Sequence, residues 1–295
     1  MHIGDFEIHL LSDGVVVSDA GGPFGLIPRD LYEGYLPPDA DNAVPIHLTC
    51  MFVRSQGMNI LIDTGLGDKV SPMEVDRWRL TRPSGTLLEG LNRLDIEAED
   101  IDIVLNTHFH ADHCGGNTRR DSGELQATFP NAEYWVQRIE WAQASHPDDR
   151  TRGTYDTQNF EPLLAAGQLR LLHGDTPVTD HVTCRATPGH TRGHQSIELE
   201  SAGWHGLYVG DMATYAVHMA RTAWLTAFDV LPLENIRTKK HWQKWALERD
   251  AWLFFEHDPY TAVGRMREGA RGLRVEPVEQ AAELTAGLPR QTPPP

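Results

Sequence analysis

Eleven residues, Asn106-Thr-His-Phe-His-Ala-Asp-His-Cys-Gly-Gly116, constrain this chain more than any other feature. His108, His110, Asp112 and His113 are four metal-ligating side chains within six positions, directly after the short apolar run Ile101-Asp-Ile-Val-Leu105. Positions two apart do not share a helix face. The spacing therefore predicts a loop at a strand end, with His108 and His110 aimed one way and Asp112 and His113 the other. Such a loop serves two neighbouring ions, since imidazole suits Zn²⁺ and related transition ions and carboxylate tolerates several of them. The fold must then bring further ligands to the same edge from other strand ends.

Three such candidates follow. Thr187-Pro-Gly-His190-Thr places a histidine on a Pro-Gly turn after a strand. Gly210-Asp211 ends the run Leu207-Tyr-Val, where a carboxylate can project and bridge two ions, and His257 follows Leu253-Phe-Phe-Glu. His194, four residues after His190, reads as a support for that turn. The remaining histidines (His2, His9, His47, His146, His173, His181, His205, His218 and His241) read as surface or satisfied core residues, and Cys114 as a small filler before Gly115-Gly116.

The rest of the chain fits an αβ protein built mainly from strands. Phe6–Leu11 alternates, Asp13-Gly is a turn signal, and Val15-Val-Val resumes an extended run. Gly21-Gly-Pro-Phe-Gly-Leu-Ile-Pro reads as a long loop, a lid or a subunit contact. His47–Val53 and Asn59–Ile62 flank Ser55-Gln-Gly as a hairpin that ends in Asp63-Thr-Gly. Thr86-Leu-Leu-Glu is a capping box opening a helix with Leu87, Leu88, Leu91 and Leu94 on its apolar side. Further helices are expected over Arg138–Ala144 and Lys239–Asp250, with a long polar loop over 146–159. The economical division is one domain over 1–280 and a frayed tail over 281–295, ending Gln291-Thr-Pro-Pro-Pro.

Composition excludes several classes. The 295 residues are 40% hydrophobic and 23% charged, as in an ordinary globular protein. A net charge of −16 with no Lys/Arg cluster argues against a nucleic-acid partner. Three scattered cysteines, an N-terminus without a basic flank and apolar run, and no span of membrane length together predict a cytoplasmic protein with no membrane partner.

The ordered set HxHxDH, Pro-Gly-His-Thr, Gly-Asp and a late His, with Leu61-Ile-Asp-Thr-Gly upstream, resembles the metallo-β-lactamase superfamily over roughly residues 5 to 275. The resemblance implies an αββα sandwich, two mixed sheets flanked by helices with the site at one edge. It implies that His108, His110 and His190 hold one metal, that Asp112, His113 and His257 hold a second, and that Asp211 bridges. It makes Asp63 the carboxylate that braces the HxHxDH loop. The cofactors implied are two divalent ions, Zn²⁺ foremost, with Mn, Fe or Co compatible.

Retained Asp112 and a bridging Asp211 are unlike the classical zinc β-lactamases and similar to the lactonase, glyoxalase II and phosphotriesterase branches. The Gly-Pro-Phe-Gly, Asn159-Phe-Glu-Pro-Leu and Phe255-Glu-His-Asp-Pro segments resemble quorum-quenching N-acyl homoserine lactonases and methyl parathion hydrolase. Glyoxalase II is disfavoured by the short segment after His257. The expected reaction is attack of a metal-bridging hydroxide on a lactone or ester carbonyl of a small molecule, with Asp112 as the catalytic residue orienting the nucleophile and passing on a proton. An organophosphate triesterase or aryl esterase, and a β-lactamase-like amidase, are the alternatives. Phe24, Leu26, Ile27, Met212, Tyr215 and Trp224 are the candidate substrate-pocket residues, and the resemblance suggests a homodimer through the N-terminal loop.

Overall fold

Alternation along the strands sets the layers. The computed structural model describes residues 1–270 and 272–289. One seven-stranded sheet contains β1 (His2–Ile3), β2 (Phe6–Asp19), β3 (Ala43–Ser55), β4 (Met58–Ile62), β5 (Ile103–Leu105), β8 (Glu133–Gln137) and β9 (Leu169–Leu172), in that order. The strands β6 (Thr118–Asp121) and β7 (Glu124–Ala127) form a separate hairpin. A second seven-stranded sheet runs β10 (Thr176–Pro177), β11 (Val182–Ala186), β12 (Gln195–Ser201), β13 (Trp204–Tyr208), β14 (Trp252–Phe254), β15 (Val263–Gly269) and β16 (Gly272–Pro277).

Successive strand residues point to opposite faces, and the cores follow. Ile8, Leu10, Met51, Val53, Ile60, Ile62 and Leu105 of the first sheet meet Val182, Ile197, Leu199, Tyr208 and Phe254 of the second in one core. The opposite face of the first sheet, with Phe52, Leu61, Val104 and Tyr134, packs on Leu87 and Leu91 of the helix Leu87–Asn92. The opposite face of the second, with Leu207, Val209 and Leu253, packs on Trp242, Trp245 and Ala246 of the helix Pro232–Glu248. This is an αββα sandwich. No helix among the described residues is long and apolar enough to cross a membrane.

Parallel pairing gathers strand ends at one edge. Ile62 of β4 pairs with Leu105 of β5, which puts Asp63 beside Asn106. Tyr208 of β13 pairs with Phe254 of β14, and Asp211 and His257 each lie three residues further on. The edges of the two sheets are tied where Gln195 N donates to Thr107 O at 2.9 Å.

Several expectations need correcting. Asp13-Gly is not a turn: β2 runs through it with a register shift between Ser12 and Gly14, a bulge that bends the strand. Gly14 has φ +138°, and a Cβ there would stand 2.7 Å from Thr81 O. The bulge aims the buried Asp13 carboxylate inward, where it accepts from Leu66 N and Gly67 N. The loop after Asp19 contains one-turn helices at Gly21–Phe24 and Arg29–Tyr32. The long helix starts at Pro232 rather than Lys239, with proline in its first turn, where its missing N–H costs nothing. In the segment expected to be a frayed tail, Ala281, Leu284 and Leu288 are buried in the inter-sheet core, an apolar spacing too sparse to stand out in sequence. The terminal Gln291-Thr-Pro-Pro-Pro lies outside the described residues.

Candidate metal centre

The motif leaves β5 and turns within six residues. The chain bends at Thr107, His110 is extended, and Asp112 and His113 sit on the one-turn helix Ala111–Cys114. The structure brings all seven candidate ligands together. His108, His110 and His190 offer ligand atoms that all lie within 4.8 Å of one another, and so do Asp112, His113 and His257. Asp211 stands between the two groups: Oδ2 is 3.1 Å from His190 Nε2 and 3.7 Å from His113 Nε2, and Oδ1 is 3.2 Å from His257 Nε2.

Four of the five imidazoles, those of His108, His113, His190 and His257, are oriented by what their other nitrogen touches, the outer-shell arrangement typical of metal-ligating histidine. His190 Nδ1 faces Asp229 Oδ1 at 2.9 Å, and His257 Nδ1 faces His47 O at 2.6 Å. His113 Nδ1 lies 3.0 Å from both Asp63 Oδ2 and Glu256 Oε2. His108 Nδ1 lies 3.0 Å from the Thr107 hydroxyl. The inward nitrogens then converge without partners of their own. His190 Nε2 is 3.1 Å from His110 Nδ1, His257 Nε2 is 3.1 Å from His113 Nε2, and the buried His108 Nε2 has no hydrogen-bond partner among the described residues. Lone pairs facing lone pairs in a dry site cost free energy unless a cation stands between them. This donor set fits divalent metal.

The electrostatics divide the histidines, keeping His108 and His110 neutral and favouring on His113, His190 and His257 a proton that an ion would displace. Burial, reinforced by the neighbouring histidines, pushes the His108 and His110 pKa values well below the ordinary range, so both are neutral, as ligands must be. Burial opposes protonation of His113 too, but Glu256, Asp112 and the other carboxylates outweigh it and hold its pKa well above normal. Burial likewise opposes ionisation of Asp211, and His190 and His257 overcome it, keeping the carboxylate ionised.

The supporting residues explain the local backbone. Asp63 is a non-glycine residue at φ +54°. Its carboxylate accepts from Thr107 N and Thr107 Oγ1, both at 2.7 Å, beside the contact to His113. A strained residue of this kind persists only where its surroundings over-determine it. His194 stands behind Asp211: its Nε2 accepts from Asp211 N at 2.9 Å, and its Nδ1 is 2.8 Å from Thr187 Oγ1. Gly210, at φ +56°, must be glycine, because a Cβ would lie 2.8 Å from His194 Nε2.

A cavity of about 190 Å³ opens over His110, Asp112, Asp211 and His257. Its walls are Val16, Val17, Pro23, Ile46, Leu66, Trp78, Ala111 and Phe228, with Ser18, Gly153, Thr154 and Thr214. None of the six residues proposed from sequence for the pocket lines it. Phe24 stacks on Tyr32 and is fully buried with Tyr215, whose hydroxyl donates to Pro45 O. Met212 belongs to the core beneath the Pro232–Glu248 helix. Leu26, Ile27 and Trp224 line a separate groove with Pro28, Leu31 and Arg150. The early loop folds so that Pro23, not its larger neighbours, faces the ligands.

Sequence reasoning passed over Glu256, Asp229 and Glu140, three buried carboxylates. Glu256 also accepts from Tyr208 OH at 2.7 Å, and burial pushes its carboxyl up to about 7. Its signal was present: an acidic residue closing the apolar run before His257. Glu140 accepts from Phe109 N and Thr191 Oγ1, joining the two histidine loops, and no spacing rule marks it or Asp229.

The family profile described as Metallo-beta-lactamase superfamily matches residues 45–250. A curated N-acyl homoserine lactonase of Bacillus sp is 29% identical over 167 residues, which is 52% of this chain and 58% of that protein's length. The N-acyl homoserine lactonase AttM of Rhizobium radiobacter is 26% identical over 236 residues, covering 75% of this chain and 84% of its own. Among solved structures, a "probable metal-dependent hydrolase" from Staphylococcus aureus has a TM-score of 0.84 at 27% identity, with 90% of this chain and 94% of that one covered. AidC, a dizinc quorum-quenching lactonase in complex with a product, has a TM-score of 0.74 at 20% identity over 95% and 96% of the two chains, a likeness of fold.

Proposed function

We propose that this chain, which belongs to the metallo-β-lactamase superfamily and is a metal-dependent hydrolase, opens the ring ester of N-acyl homoserine lactones and related small neutral lactones. The observation that carries the reading is the convergence of seven ligand side chains under a cavity with apolar walls. Lactonases among its relatives support it.

In this reading His108, His110 and His190 hold one divalent ion, and Asp112, His113 and His257 hold a second, with Asp211 shared. Zinc is the ion named for the dizinc neighbour. When bound, two such ions supply a water activated at neutral pH and a Lewis acid for the carbonyl oxygen. The chain's own residues do the rest. The apolar walls exclude bulk water and hold the acyl chain, which leaves the lactone carbonyl over the ligand cluster. Asp112 is the ligand most open to the cavity, with its side chain 34% exposed and Oδ2 3.9 Å from His257 Nε2. Asp112 Oδ2 accepts the proton of the attacking water and returns it to the ring oxygen as the carbon–oxygen bond breaks.

Zinc-loaded protein assayed on an acyl homoserine lactone, an aryl phosphotriester and nitrocefin tests this. Ring opening is expected to have the highest kcat/KM of the three. A higher kcat/KM on the phosphotriester or nitrocefin, or full lactonase activity in metal-free protein, would overturn the proposal. The homodimer is retained as a proposal that sedimentation mass checks.

A further inference from the structure

His190 differs from its two companions in what stands behind it. His108 Nδ1 meets a neutral hydroxyl, whereas His190 Nδ1 meets the carboxylate of Asp229, which is 3% exposed. That carboxylate is held from all sides. Oδ1 also accepts from Thr226 Oγ1 at 3.2 Å, and Oδ2 accepts from Asn235 Nδ2 at 3.0 Å and Thr226 N at 3.2 Å. The backbone runs along the histidine turn itself: Val230 N donates to His190 O at 3.0 Å, and Leu231 N to Gly189 O at 2.9 Å. From outside, Arg150 Nη2 donates to Ala227 O at 2.7 Å and Asp229 O at 3.2 Å.

We infer that Asp229 is a positioning residue for the metal centre. By accepting the Nδ1 proton it fixes the His190 tautomer with Nε2 free toward His110 Nδ1 and Asp211 Oδ2, and so sets the affinity of the His108–His110–His190 triad for its ion. The Asp112–His113–His257 triad, oriented by Asp63, Glu256 and His47, does not depend on it. The inference rests on the two-ion reading proposed above. Outer-shell carboxylates of this kind change metal affinity by roughly 10–100-fold.

Zn²⁺ titration against a competing chelator, with stoichiometry by elemental analysis, separates this role from simple loop packing. Wild-type protein is expected to hold two ions. Asp229→Ala should hold one at wild-type affinity and the other roughly 10–100-fold more weakly. Arg150→Ala releases the same loop from outside but leaves the Asp229 carboxylate and its contact to His190, and should bind both ions as the wild type does. In cobalt-substituted protein, Asp229→Ala should shift the visible bands of one ion only. Unchanged affinity in Asp229→Ala, or equal losses in Arg150→Ala, would overturn the inference. If Asp229→Ala does not fold, the similarly shaped Asp229→Leu keeps the volume and removes the acceptor, and wild-type affinity in that variant overturns it equally. A wild-type protein that takes up no zinc overturns the two-ion reading itself, a failure visible before any variant is compared.

Discussion

The two sheets serve the candidate centre in different ways. The first delivers four ligands in one continuous motif after β5; the second delivers three, each from its own loop after β11, β13 or β14. In the first, local spacing alone places donors near one another. In the second, His190, Asp211 and His257 meet only because strand ends share an edge and each loop is tied back, by Asp229, His194 and His47 respectively. The sharpest way to break this division of labour is at Asp211, which stands between the two triads. Asp211→Ala should lose both ions and depress lactonase kcat/KM by more than the roughly 100-fold that an outer-shell loss costs. His110→Ala, on the first sheet's side, should retain the ion of the other triad. Equal metal content in the two variants, measured by elemental analysis, would mean that Asp211 is not shared.

A smaller effect separates the carboxylates behind His113, one from each half. Asp63 ends β4 and Glu256 ends β14, and both lie 3.0 Å from the same Nδ1. Asp63 also clamps Thr107 N and Oγ1, whereas among the described residues Glu256 is otherwise engaged only by Tyr208 OH and its Oε1 has no partner. Asp63→Asn should therefore lower zinc affinity toward the upper end of a roughly 10–100-fold range and Glu256→Gln toward the lower end. A larger loss in Glu256→Gln would make the second sheet the dominant brace.

That contrast also explains what the sequence could convey. HxHxDH was readable because its ligands are neighbours in the chain, and the strand-end placement of His190, Asp211 and His257 was readable because each closes an apolar run. The layers were readable from alternation and from the Thr86 capping box, which forms as the residues predict. The bulge at Asp13-Gly14 was not, because a turn and a bulge use the same residues and only the β3 partner distinguishes them. Nor was the pocket. Phe24 and Tyr215 are apolar and close in sequence to functional positions, yet packing between Tyr32, His218 and Trp224 turns them into core.

His218 in that aromatic cluster gives a third, smaller effect. Burial, with Lys239 nearby, lowers its pKa from 6.5 to about 3. Its folded pKa lies below the unfolded one, so the unfolded chain takes up the proton first. The stability it contributes is complete above pH 6.5 and is lost as pH falls toward 3. Between pH 7 and 5 this withdraws about 2 kcal/mol. Urea unfolding of metal-free His218→Gln should show a shallower decline over that interval, by about the same amount. Parallel declines would assign the acid sensitivity to other groups.

The smallest expected effect concerns the cavity, where the halves again differ. The N-terminal half supplies Val16, Val17, Ile46, Leu66 and Trp78, and the C-terminal half supplies Asp211, Thr214, Phe228 and His257. If the substrate's acyl chain lies on the N-terminal wall while its lactone faces the ligands, chain length is sensed by the first half alone. Each buried methylene contributes about 0.8 kcal/mol, roughly fourfold in affinity. Trp78→Ala should therefore raise KM for a long-chain acyl homoserine lactone several-fold while leaving the short-chain KM and kcat close to wild type. The comparison is a ratio within one protein, so a partial loss of metal in the variant, which lowers kcat for both substrates alike, does not disturb it. A variant that raises both KM values equally would move the chain to the other wall, beside Phe228.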